Sequence, residues 1–132
     1  ARMPEVKITL KASYLMCENE PRFVLHGTEG SYVKYGLDPQ EADLTKGMLP
    51  DTPHWGEEDE SQWGILHTET DGNVVRKPYP TLPGNYAAFY ENIYQHIRNG
   101  AVLQSDACGV LGVIRLIEAA WESSRTGNVI KL

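Results

Sequence analysis

With 132 residues the chain is the size of one domain, and a domain near this size buries roughly two thirds of the surface its unfolded chain exposes. A formal net charge of -6 leaves no cationic excess to neutralise phosphates, which argues against nucleic acid and anionic membrane as partners. No apolar run approaches the roughly 20 residues that span a bilayer, and Cys17 and Cys108 lack zinc or disulfide spacing, so both read as free thiols in a reducing cytoplasm.

The chain opens in alternation. Val6, Ile8, Leu10, Ala12 and Tyr14 fall on one side and Lys7, Thr9, Lys11 and Ser13 on the other, which predicts a half-buried strand. Ala1-Arg2-Met3-Pro4 is no signal peptide, and a start without initiating Met that enters a strand at once fits either a natural N-terminus or a domain cut from a longer protein. Arg22 to Gly27 and Ser31 to Gly36 predict a hairpin around Thr28-Glu29-Gly30. Asp38 before Pro39 marks a helix start, with a stop near Gly47. From Met48 to Ser61, Pro50, Pro53, Gly56 and the run Glu57-Glu58-Asp59-Glu60 predict a surface loop.

Gly64 to Thr70 and Asn73 to Lys77 flank Asp71-Gly72, the signal of a second tight hairpin. Pro78, Pro80 and Pro83 then end the sheet pattern. Tyr86, Phe89, Tyr90, Ile93, Tyr94 and Ile97 recur at three- and four-residue steps, which predicts an amphipathic helix with its tyrosines in the core, closed at Gly100. Ser105 or Asp106 caps a second helix whose stripe of Val110, Ile114, Ile117 and Trp121 predicts burial over more than half its circumference. Gly109 and Gly112 in its interior suggest close approach to the sheet, and Val129 to Leu132 predicts a terminal strand. Strands first and helices last, joined by hairpins instead of crossovers, indicate one α+β domain over residues 1–132: a mainly antiparallel open sheet with helices packed on one face.

Several of these segments resemble one family in order. Arg22-Phe23-Val24-Leu25-His26-Gly27-Thr28-Glu29-Gly30-Ser31, the Asn85-Tyr86 and Phe89-Tyr90 helix start, Ile97-Arg98-Asn99-Gly100, and Ile117-Glu118-Ala119-Ala120 with Ser123 and Gly127 resemble the C-terminal domain of the glucose-fructose oxidoreductase, inositol dehydrogenase and rhizopine-catabolism (Gfo/Idh/MocA) family. The resemblance runs over nearly the whole chain. It implies a two-domain parent that uses NAD or NADP to oxidise or reduce a sugar, polyol or related small molecule. It also implies that this chain supplies one wall of the substrate pocket and a sheet face that forms a homodimer. Its natural partner would be the N-terminal dinucleotide-binding domain of the parent.

The residues that would carry that family's redox chemistry do not occur here. There is no Gly-x-Gly, no aspartate followed four residues later by histidine, and Arg76-Lys77-Pro78 echoes the family's Glu-Lys-Pro segment only in a late hairpin strand. No catalytic, cofactor-binding or metal-ligating residue is therefore expected in the chain, and the fragment alone is expected to be inactive. The candidates for lining a substrate pocket are His54 and Trp55, where an indole can stack on a sugar-like ring and an imidazole can donate a hydrogen bond. The bland reading of that segment is a packed tryptophan in a solvated acidic loop. His26 reads as a half-buried strand residue, and His67 and His96 lack ligand spacing. Two rivals remain open: an autonomous dimeric module that binds a small ligand, and a compact acid-base enzyme using His54 with Glu57 or Glu58. The face carrying Lys7, Thr9, Lys11 and Ser13 is the expected dimer surface.

Overall fold

A computed structural model describes residues 6–132 of the chain. Four strands form one antiparallel sheet in the order β1 (Phe23–His26), β2 (Gly30–Lys34), β3 (Gly64–Thr70) and β4 (Asn73–Tyr79). Three helices accompany it: α1 (Pro39–Thr45), α2 (Ala87–Asn99) and α3 (Ala107–Thr126), with one short 3-10 turn at Glu60–Gln62. The protein is thus α+β with an open antiparallel sheet, the class that the hairpin signals imply.

The local signals explain most boundaries. Asp71 and Gly72 both take positive φ, 53° and 77°, as the two-residue turn that matches strand twist requires, and β3 and β4 pair from Thr70↔Asn73 to Gly64↔Tyr79. Asp38 caps α1 by accepting from the Gln40 backbone N–H at 3.0 Å, with Pro39 in the first turn. Asp106, not Ser105, caps α3, accepting from the Gly109 N–H at 2.8 Å. Gly100 and Gly127 close α2 and α3 in the left-handed conformation.

Three expectations fail. Pro78 does not end its strand: β4 runs to Tyr79 and Pro78 pairs with Ile65. A proline is tolerated there because β4 is an edge strand. Residues 6–13 and 129–132 form no strand among the described residues, although the alternation of the first segment is clear. Alternation records which side chains would share a face; a ladder also needs a neighbour with free N–H and C=O groups.

The core expectation fails as well. Among the described residues no apolar side chain is fully buried. Tyr90, Tyr94 and Ile97 on α2 and Val110, Ile114, Ile117 and Trp121 on α3 are exposed, Trp121 at 77%. The helices thus carry the expected apolar stripes on exposed faces.

The chain divides into two compact units, Glu18–Gly100 and a second made of Ala101–Leu132 with the N-terminal segment. The first holds the whole sheet, α1 and α2. Within it the register puts Phe23, Leu25, Tyr32, Lys34, Gly64 and Leu66 on one sheet face, and Val24, His26, Ser31, Val33, Ile65 and His67 on the other. The first face is crossed by the acidic loop: Lys34 Nζ donates to Glu58 Oε2 at 2.5 Å and to the Gln62 carbonyl at 2.6 Å, and both charged side chains are nearly buried.

Candidate functional site

The best-buried point of the described residues is polar. Gln40, in the first turn of α1, has no exposed surface. Its Nε2 donates to both carboxylate oxygens of Asp38, at 3.1 and 3.0 Å. Its Oε1 accepts from the indole Nε1 of Trp55 at 2.8 Å and from the backbone N–H of Tyr86 at 2.9 Å. One carboxamide thereby joins α1, the loop after it and the entry to α2. Every polar atom of that side chain is partnered, as burial demands.

The backbone closes around this node. The Gly84 N–H donates to the Gly56 carbonyl at 3.0 Å. Gly56 has φ +72° and a Cβ there would run into the Gly84 backbone, while a Cβ on Gly84 would strike the Gln40 amide and the Asp38 carboxylate. Only glycine at both positions lets the two segments meet. Beside them the Tyr86 hydroxyl donates to Glu41 Oε1 at 3.0 Å, and this hydrogen bond to a carboxylate, with some loss of hydration, holds the phenol above its usual pKa of 10.0.

His54 and Trp55 stand on this support. His54 takes φ +62°, a left-handed conformation uncommon for a residue with a Cβ, and its Nδ1 lies 2.8 Å from Glu57 Oε2. A carboxylate can only accept, so Nδ1 carries the proton and a neutral ring presents Nε2 as an acceptor. The expectation that His54 donates to a ligand therefore changes: only the imidazolium can donate from Nε2. The His54 side chain is 82% exposed, whereas Trp55 is half-buried with its indole N–H already spent on Gln40. Around them lies an open cleft of about 310 Å³ whose lining includes Pro50, Thr52, His54, Trp55, Glu57 and Pro83.

The acidic run is divided in its roles. Glu57 orients His54, Glu58 is anchored to Lys34, and Asp59 caps the 3-10 turn by accepting from the Ser61 N–H at 2.9 Å; hydrogen bonding from the Ser61 side chain, and then from its backbone N–H, holds the Asp59 carboxyl below its usual 3.8. Of the two carboxylates considered as partners for His54, the geometry selects Glu57. His26 is exposed rather than half-buried, with Nδ1 2.9 Å from Ser31 Oγ across the β1–β2 pair, and His67 is exposed on β3. Among the described residues no three His, Cys, Asp or Glu side chains gather as a metal site, and no helix is long and apolar enough to cross a membrane. Sequence reasoning located the cap at Asp38 and the loop at 54–57 but missed Gln40 and Lys34. Nothing in Asp-Pro-Gln-Glu distinguishes a buried glutamine from a solvated one.

The described helix starts do not fit a dinucleotide. The N-terminus of α3 is taken by the Asp106 carboxylate, which would repel a pyrophosphate, and the Asn85 side chain accepts from the Ala88 N–H at the start of α2.

Comparison with known proteins places this geometry. The family described as the C-terminal alpha/beta domain of the Gfo/Idh/MocA oxidoreductases matches residues 1–132. The chain is 38% identical over 114 residues to the scyllo-inositol 2-dehydrogenase (NADP(+)) IolW of Bacillus subtilis, covering 86% of this chain and 32% of that protein. Among solved structures it is similar to a candidate oxidoreductase of Bacteroides fragilis, with 54% identity, a TM-score of 0.77, and coverage of 91% of this chain and 36% of that one. It is also similar to the candidate oxidoreductase yvaA of Bacillus subtilis, at 36% identity and a TM-score of 0.79, covering 89% of this chain and 34% of the other. The chain thus spans about a third of the length of the relatives it matches.

Proposed function

From the premise that the chain belongs to the Gfo/Idh/MocA oxidoreductase family as its C-terminal alpha/beta domain, we propose that it forms one wall of the substrate pocket of an NAD(P)-dependent oxidoreductase acting on a sugar, polyol or related small molecule. The observation that carries this reading is the cleft at His54 and Trp55. Trp55, held by its indole N–H, and His54, whose Nδ1 is engaged by Glu57, line the same open cleft. Such a pair suits a cyclic polyol, whose C–H face packs on an indole while a hydroxyl donates to the imidazole. The choice of a polyol draws support from IolW, whose substrate is scyllo-inositol and whose cofactor is NADP.

In this reading the cofactor belongs to the dinucleotide-binding part of the parent, and the chain's own residues bind and orient substrate. The helix-start geometry supports that division, and so does the threefold greater length of the relatives, which favours a domain of a larger enzyme over an autonomous module. The exposed stripes of α2 and α3 are then the surfaces that the rest of the parent covers, and the sheet face bearing Val24, Val33 and Ile65 is the homodimer surface. The strand at residues 6–14, first expected to supply that surface, is not part of the sheet.

Titration of the isotopically labelled chain with scyllo-inositol, followed by NMR, tests the site. Shifts centred on His54 and Trp55 that vanish in His54→Ala and Trp55→Ala are expected. Shifts elsewhere, or none, would overturn the assignment of this cleft as a substrate wall. NADPH should leave the spectrum unchanged, and a fluorescence change on adding it would contradict the division of labour.

A further inference from the structure

We infer that Gln40 is the positioning residue of this cleft: its buried carboxamide fixes the Trp55 indole and the Gly84–Tyr86 entry to α2 in one arrangement and so sets the shape presented to a ligand. The inference rests on the cleft being the substrate wall and adds which side chain builds it.

Three observations converge on it. Gln40 has no exposed surface and is not among the residues lining the cleft, so its role is not contact with substrate. Its single oxygen accepts from Trp55, which lines the cleft, and from Tyr86, which follows the lining residues Gly84 and Asn85 and lies 31 residues from Trp55 in sequence. The opposite end of the amide is locked by two hydrogen bonds to Asp38, so the oxygen cannot exchange places with the nitrogen without setting donor against donor at Trp55. Gly56 and Gly84 bring the two segments so close around it that neither position has room for a Cβ. Trp55 spends its only polar group on this contact, and its ring is thereby restricted to packing.

The arrangement predicts a specific rescue. Gln40→Met keeps the volume and removes the acceptor, so the Trp55 indole proton should exchange with solvent about tenfold faster or more, and scyllo-inositol should bind several-fold more weakly. Gln40→Glu keeps the acceptor but sets a carboxylate against Asp38, and should weaken the site as well. Asp38→Asn combined with Gln40→Glu reverses the direction of the donor contact, keeps an oxygen for Trp55 and Tyr86, and retains a good helix cap. It should restore both readouts towards wild type, whereas a merely space-filling role for residue 40 would show no such pairing.

NMR hydrogen exchange at the indole, polyol titration and urea unfolding of the four proteins decide the matter. Unaltered Trp55 exchange in Gln40→Met would overturn the inference while leaving the substrate-wall reading intact, provided that Trp55→Ala still abolishes polyol-induced shifts. A released Trp55 with unchanged polyol affinity would overturn the substrate-wall reading and, with it, the positioning role. Should Gln40→Met fail to fold, hydrogen exchange in the wild-type protein remains a sufficient test. The Trp55 indole proton must be protected relative to that of Trp121, and equal exchange rates at the two would sink the idea.

Discussion

The node at Gln40 and the helix α3 carry opposite chemistry, and each is found where a simple hydrophobicity rule would not put it. Around Gln40 a carboxamide, a carboxylate, an indole N–H and two glycines are packed without solvent at the centre, and every polar atom of Gln40 is matched. Along α3, Val110, Ile114, Ile117 and Trp121 face outward, beside an open groove of about 830 Å³ lined by residues such as Val113, Leu116 and Ala119. The first region is satisfied by this chain's own groups. The second is, in the proposed reading, a surface that the rest of the parent covers. Polar groups can satisfy one another only at fixed distances, so a node of this kind is built from one chain's own loops, whereas an apolar stripe accepts any covering surface of matching shape.

The contrast can be broken by substitution. The largest effect is expected from Gly56→Ala, which combines a positive φ with collision against the Gly84 backbone: a loss of about 3–4 kcal/mol, read from urea unfolding. Lys34→Met should cost about 3 kcal/mol in the same assay, because it leaves Glu58 nearly buried and unpaired. If either change is silent, the loop is not anchored as described.

Trp121→Ala should alter stability by about 0.5 kcal/mol or less, since exposed side chains remote from special features rarely matter more. A loss comparable to Gly56→Ala would show that α3 already packs against something in the isolated chain. The smallest effect concerns acid. Asp59 has a lowered pKa through its hydrogen bonds from Ser61, so its contribution to stability is fully present above the unfolded value of 3.8 and fades as pH falls through the lower folded value. Asp59→Asn should flatten the acid limb of the stability profile there, with a slightly lower stability near neutrality, where the carboxylate's contribution is fully present, and no difference once Asp59 is protonated.

Legibility in the sequence followed the range of the interaction. Asp38-Pro39, Asp71-Gly72, Asp106 and Gly100 act on backbone within a few residues, and each stands where expected. The segment His54-Trp55-Gly56-Glu57 was recognisable as the one place mixing imidazole, indole and carboxylate, and the His54 to Glu57 contact spans three residues. Gln40 was invisible because its partners lie 15 and 46 residues away, and Lys34 because Glu58 is 24 residues away. The N-terminal alternation misled for the complementary reason: it records which side chains would share a face and says nothing of the partner a ladder needs.

The sequence by itself therefore determined the α+β class, the hairpins, the caps and the family, because periodicity, turn chemistry and ordered motifs are written along the chain. Only the tertiary structure decided that a buried glutamine joins Trp55 to Tyr86, that Glu57 rather than Glu58 meets His54, and that Lys34 anchors Glu58. Those outcomes depend on which groups meet within hydrogen-bonding distance, which a local pattern does not encode.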